Sequence, residues 1–267
     1  MNLIKFLESF TDDKLYATGT SRRDSFAQFG NIGKGLALAA VPFGLAGLSS
    51  KSYANIDPTP ATAAGALQLA LTLEYLESAF YANAVDAAGL IPPAHQAVFN
   101  LIRDHEADHV TYLKTAMAAN GVAIPAVPTF DWSGGLGLDP FNNFDQFLAI
   151  AQGFEDTGVR AYKGQAGYLQ GTPFLTPALQ IHSVEARHAS QVRRLRTKLG
   201  LTTGTNNKGW ITGQDRGGLP EQFQVIYAGE QSTALGAGQF DAAAQSEAYD
   251  ETIDTATAVA IANVFIV

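Results

Sequence analysis

The chain of 267 residues carries 17 basic and 25 acidic side chains, a formal charge of −8, which argues against a nucleic-acid partner that would need a basic face. Hydrophobic residues make up 46% and charged ones only 16%, so the chain can bury a large core, is not disordered overall, and must justify each charge inside an apolar stretch. With no cysteine, disulfides, thiolate catalysis, iron–sulfur clusters and zinc–cysteine sites are excluded.

Residues 1–54 hold six basic and four acidic side chains, leaving 11 basic and 21 acidic for the rest. This segment reads as an export signal. Ser21-Arg22-Arg23-Asp24-Ser25-Phe26 precedes an uncharged run, Gly35 to Ser50, and then Ser52-Tyr53-Ala54, with small residues where a signal peptidase reads. The pattern resembles a twin-arginine signal, although Phe26 stands one residue farther from the arginine pair than is usual. The run is short for a membrane span and is interrupted by Pro42, so no stable span is expected after processing. The alternative is an N-terminal helix docked on the domain, since Leu3, Ile4, Leu7 and Phe10 fall at helical spacing.

Four long helices are expected over residues 55–200. The first opens at the capping cluster Asp57-Pro58-Thr59-Pro60 and runs to about Gly89; the second runs from Pro92-Pro93 to the stop signal Asn120-Gly121. The third spans about Asn143 to Gly171, and the fourth starts at Thr176-Pro177 and ends at Gly200. The Pro/Gly-rich stretch Val122 to Asn142 is long enough to cross the length of a bundle, whereas the other two connections make antiparallel hairpins. Residues 201–267 read as a C-terminal extension, glycine-rich at first and closing on one helix over about Asp241 to Phe265.

An internal repeat organises the four helices. Leu67, Ala70, Glu74, Glu77 and Tyr81 in the first recur as Leu148, Ala151, Glu155, Gly158 and Tyr162 in the third, each 81 residues later. Ile102, Glu106, His109 and Leu113 in the second recur as Ile181, Glu185, His188 and Val192 in the fourth, each 79 residues later. The chain is a duplicated helical hairpin with polar insertions at matching places in its apolar stripes. Glu106-x-x-His109 and Glu185-x-x-His188 each put a carboxylate and an imidazole one turn apart on one helix face. With Glu74 and Glu155, four carboxylates and two imidazoles aim at one interior. Any one of them alone reads as a salt-bridged or partly buried residue. All six together do not, because unpaired buried carboxylates cost several kcal/mol each and only Arg103 stands near their level in the second helix. Two divalent or trivalent cations would neutralise the set.

One Glu on each of two helices plus Glu-x-x-His on the other two resembles the di-metal carboxylate pattern of the ferritin-like superfamily. The seven-residue interval from Glu74 to Tyr81, and from Glu155 to Tyr162, is similar to that of ferritins and rubrerythrins. Leu73-Glu74-Tyr75-Leu76-Glu77, Lys208-Gly209-Trp210-Ile211, Tyr227-Ala228-Gly229-Glu230 and Ser246-Glu247-Ala248-Tyr249-Asp250-Glu251 resemble exported bacterial ferritin-like proteins related to desiccation-related proteins. The resemblance implies an all-α, ferritin-like four-helix bundle with a long crossover between helices two and three. It implies Glu106 and Glu185 as bridging ligands, with Glu74 and His109, and Glu155 and His188, as terminal ones. Carboxylates with imidazoles suit two iron or manganese ions. Glu77 is a possible additional ligand, disfavoured because its repeat partner is a glycine. Tyr81 and Tyr162 either donate hydrogen bonds to the ligands or quench radicals, or are ordinary core aromatics with a satisfied hydroxyl. His95, His105 and His182 fall off the stripes and read as solvated, with His105 within reach of a ligand.

The function implied is that of an exported, periplasmic di-metal protein with O2 or hydrogen peroxide as small-molecule substrate, a ferroxidase, peroxidase or catalase-like enzyme of oxidative or desiccation stress. A protective or structural protein whose metal site is vestigial or purely stabilising is the alternative. The irregular tail and the signal argue against an iron-storage shell, while assembly into a smaller homo-oligomer stays open.

Overall fold

The computed structural model describes residues 56–203, 208–232 and 240–267. The export-signal reading, with Arg22, Arg23 and Ser52-Tyr53-Ala54, lies outside the described residues. Among the described residues no helix is long and apolar enough to cross a membrane, and the secondary structure is helical apart from one isolated bridge between Phe130 and Ile266.

Helix α1 covers Ala63–Asp86. It starts later than the Asp57–Pro60 cluster suggests, because each proline holds the residue before it in extended backbone. The cap is instead Thr62, whose side chain accepts from the amide of Gly65 at 3.1 Å. Gly65 is itself required, since a Cβ there would lie 1.9 Å from the Pro60 carbonyl oxygen. Helix α2, Pro93–Ala119, begins on its proline and is stopped by Asn120 and by Gly121 at φ +67°. Helix α3, Phe144–Gln165, is capped by the Asn143 side chain and runs on as a 3₁₀ turn, Ala166–Leu169. Helix α4, Leu175–Lys198, starts one residue before Thr176. Thr172 rather than Thr176 supports the entry, accepting from the Phe174 amide at 3.2 Å, and Pro177 falls among first-turn positions that need no amide donor.

The α1–α2 and α3–α4 hairpins lie against each other through α1 and α3. The crossover between them is held to the bundle by Trp132 and Phe141, which pack on Phe80, and to the C-terminus by the Asp131 amide, which donates to the Phe265 carbonyl. Two apolar cores result. One is built around Phe80, Phe99, Phe147, Phe154 and Phe265; the other, at the opposite end, around Leu67, Leu71, Leu113, Met117 and Ile181. The polar insertions of all four stripes fall between the two cores, in a buried belt.

The extension is not closed by one helix. A 3₁₀ segment, Glu221–Tyr227, precedes α5, Ala242–Ala248, and α6, Thr255–Ala262. A continuous helix would need the carbonyls of residues 250–252 for its own ladder. Those carbonyls are taken by α3: Lys163 Nζ donates to Asp250, and the Arg160 guanidinium to Glu251 at 2.8 Å and Thr252 at 3.5 Å. Asp254 then caps α6 through the Thr257 amide.

Candidate metal centre

Helical spacing brings the belt together. Glu74 and Glu77 lie one turn apart on α1, Glu106 and His109 on α2, Glu155 and Gly158 on α3, and Glu185 and His188 on α4. Ligand-type atoms of Glu74, Glu106, His109 and Glu185 lie within 4.8 Å of one another, as do those of Glu106, Glu155, Glu185 and His188. The two groups share Glu106 and Glu185. All four of these glutamates are 0% exposed, and His109 and His188 are buried beside them.

The contacts within the belt converge on points rather than forming pairs. His109 Nδ1 stands 3.2 Å from Glu74 Oε2, 3.3 Å from Glu106 Oε2 and 3.3 Å from Glu185 Oε1. A single ring hydrogen satisfies one such oxygen, not three. His188 Nδ1 lies 2.9 Å from Glu106 Oε1 and 3.4 Å from Glu155 Oε2, yet neither contact has hydrogen-bond geometry. His188 Nδ1, Glu106 Oε1, Glu155 Oε2 and both oxygens of Glu185 are buried without a hydrogen-bond partner. Among the described residues no lysine or arginine reaches any of the belt's carboxylates, since Arg103 pairs with Asp104 at the surface. Orphaned oxygens and imidazole nitrogens facing common points suit a divalent or trivalent cation that accepts O and N ligands.

The charges show the same strain. Burial pushes Glu74 up to about 8. Burial, reinforced by the neighbouring carboxylates, holds Glu77 and Glu185 well above the usual carboxylate range, and burial also raises Glu155. Burial works to raise Glu106 as well, but the adjacent imidazoles of His109 and His188 outweigh it and hold that carboxyl at about 2. Burial opposes protonation of His188, yet Glu155 and Glu106 lift it to about 11, and the surrounding glutamates lift His109 well above its ordinary value. The belt keeps protons where a cation would otherwise balance the carboxylates.

Glu74 and Glu155 are each held from the opposite hairpin. Tyr81 on α1 donates its hydroxyl to Glu155 Oε1 on α3, and Tyr162 on α3 donates to Glu74 Oε1 on α1. This reciprocal pair ties a duplicated bundle together around a buried carboxylate–imidazole belt. The ferritin-like domain family model matches residues 62–198. The chain belongs to the ferritin-like domain family. No curated protein matches it in sequence.

In this ferritin-like domain, Glu77 is buried at 2% exposure with its Oε2 unpartnered, but it belongs to neither compact group. The three remaining histidines are not simply solvated, as sequence position suggests. His105 Nδ1 lies 3.0 Å from His188 Nε2, with the two rings stacked at 5.2 Å. His95 stacks on Phe144, and His182 is half-buried with an unpartnered Nε2. A stripe at 3.5–3.6 residue spacing marks which residues face the axis, and is blind to flanking residues that touch a ligand's far side.

Sequence reasoning also missed the buried charges through which the extension grips α3. Arg193 holds Asp156 with two bonds, and Asp156 further accepts from Tyr227 at 2.7 Å. Fully buried Arg160 pairs with Glu230 at 2.7 Å and donates to the carbonyls of residues 226 and 228. The signal was present in the tail segments: Tyr227, Glu230 and Trp210 contact the bundle, and Lys208 pairs with Glu247 within the extension.

Proposed function

We propose that the chain is an exported di-metal carboxylate protein. Glu74, Glu106, His109, Glu155, Glu185 and His188 hold two iron or manganese ions, and O2 or hydrogen peroxide is the oxidant. Ferroxidase, peroxidase or catalase-like turnover would serve protection in oxidative or desiccation stress, in keeping with the resemblance to exported desiccation-related relatives. The observation that carries the reading is the pair of overlapping donor groups sharing Glu106 and Glu185, with Glu106 Oε1, Glu155 Oε2 and both Glu185 oxygens unpaired. Bound ions would supply the electron transfer to or from oxygen species.

The chain's own residues set the conditions. Tyr81 and Tyr162 orient the terminal glutamates from across the bundle. The two apolar cores flank the belt, so the attraction between its carboxylates and a cation held there would be little screened by water. His105 fixes the His188 ring by its far nitrogen, leaving Nδ1 toward the glutamates. Export rests on the arginine pair and the uncharged run of residues 1–54.

The depth of burial favours one rival, a metal site that only stabilises the bundle. Anaerobic loading with Fe(II), followed by mixing with O2 or peroxide, separates the two. The enzyme reading expects oxidant consumption faster than that of free Fe(II), and its loss in Glu106→Ala. A stabilising site would raise the unfolding temperature on loading without consuming oxidant faster than the free ion.

A further inference from the structure

The duplication is broken at the belt in two places, and both breaks bear on the same half of it. Glu77 is the first. It extends from the same face of α1 as Glu74, one turn on, and its Oε2 is buried without a partner. A carboxyl buried in that state costs several kcal/mol unless something binds it. Its repeat partner is Gly158 on α3, and the reason for a glycine is visible. A Cβ at position 158 would lie 3.2 Å from Glu77 Oε1 and 2.8 Å from Glu185 Oε2. Glu77 therefore crosses from α1 toward the hairpin that carries Glu155, and the missing side chain on α3 is the space its carboxyl occupies beside Glu185.

The second break is His105. Its Nδ1 stands 3.0 Å from His188 Nε2, with the rings 12° from parallel. The residue in the equivalent place on α4, 79 positions later, is Val184, which has no nitrogen to offer His109. One imidazole of the belt is thus anchored through its far nitrogen, while the repeat places only an apolar side chain opposite the other.

We propose that Glu77 is a fifth carboxylate ligand, serving the position framed by Glu155 and His188, that Gly158 is the residue that admits it, and that the two positions consequently take up their ions with unequal affinity. The inference rests on the metal centre proposed above. The Glu155–His188 position has the larger donor set and the pre-oriented imidazole, so it fills first. The Glu74–His109 position, with the shared Glu106 and Glu185 and no extra carboxylate, fills second.

Titration of Mn(II) into the metal-free full chain tests this, read by calorimetry and by the electron paramagnetic resonance of free and bound Mn(II). Two steps separated by about tenfold or more are expected for the natural sequence. Glu77→Gln, close to isosteric, should weaken the tighter step by about 10–100-fold and leave the weaker one within about threefold. Gly158→Ala should weaken the tighter step most, because its methyl group displaces the Glu77 oxygen, with a smaller loss in the weaker step through the shared Glu185; His105→Val should weaken the tighter step alone. Should Glu77→Gln fail to fold, these two variants carry the test alone. Glu74→Gln should weaken the other step. Equal loss in both steps, or none, in Glu77→Gln would overturn the assignment while leaving the metal centre standing. No Mn(II) bound by the natural sequence would overturn both.

Discussion

Tyr162 and Glu74 stand on different hairpins, yet the phenol donates to the carboxylate at 2.5 Å inside the bundle. With the reciprocal bond from Tyr81 to Glu155, each hairpin orients the other's glutamate, so docking of the hairpins and shaping of the belt are one event. Tyr162→Phe leaves Glu74 Oε1 buried and unpaired. It should lower stability by about 1–3 kcal/mol and metal affinity by about 10–100-fold. Urea unfolding and metal titration check both. If Tyr162→Phe and Tyr81→Phe changed stability alone, the phenols would be core aromatics with satisfied hydroxyls and nothing more.

Metal uptake should depend steeply on pH. Burial pushes Glu74 up to about 8, and its glutamate neighbours lift His188 to about 11 against burial. A cation must displace these protons, so acid opposes binding. Between pH 8 and pH 6 Glu74 is increasingly protonated before metal arrives, and apparent affinity should fall at least about tenfold per pH unit. Calorimetry in buffers of different ionisation enthalpy should show protons released on binding. Affinity flat across that range would show that the belt's carboxyls are already ionised.

The clamp on the extension is a separate matter. Glu230 is the carboxylate partner of Arg160, which is itself wholly buried in α3. Glu230→Ala should destabilise the protein by about 3–5 kcal/mol, since it leaves a buried guanidinium without its counter-charge. Denaturant unfolding measures the loss. Metal stoichiometry should be unchanged in the variant at low temperature, because neither residue touches the belt's ligand-type atoms.

Much of this arrangement was legible in the chain. Glu74, Glu106, His109, Glu155, Glu185 and His188 stand out because a helix repeats every 3.6 residues and a gene-scale repeat doubles the pattern, so chance and function separate. The break between α5 and α6 was not legible. Residues 241–265 have helical character locally, and only the distant Arg160 and Lys163, which claim the carbonyls of residues 250–252, open the chain there. The packing of Glu77 was hidden for a related reason. Its pairing with Gly158 reads as a lapse of the repeat, whereas in three dimensions the glycine is the complement of the glutamate.

Export gives a prediction independent of the bundle. Replacing Arg22 and Arg23 together by Lys removes the guanidinium groups that a twin-arginine route reads, while keeping the charge. Cell fractionation should then find the protein retained in the cytoplasm and the natural sequence outside it. Unchanged export in the double variant would point to the general secretory route. Natural protein found only in the cytoplasm would assign residues 1–54 to a docked helix.

The central claim is that the belt is a metal centre, and elemental analysis tests it most directly. Full-length protein is reconstituted with Fe(II) or Mn(II) without oxygen, freed of excess ion, and its metal counted against its concentration. Two ions per chain are expected for the natural sequence, with a clear loss of bound metal in Glu106→Ala combined with Glu185→Ala, which removes both shared carboxylates. Retention of no metal by the natural sequence, or the same amount by the double variant, would contradict the account.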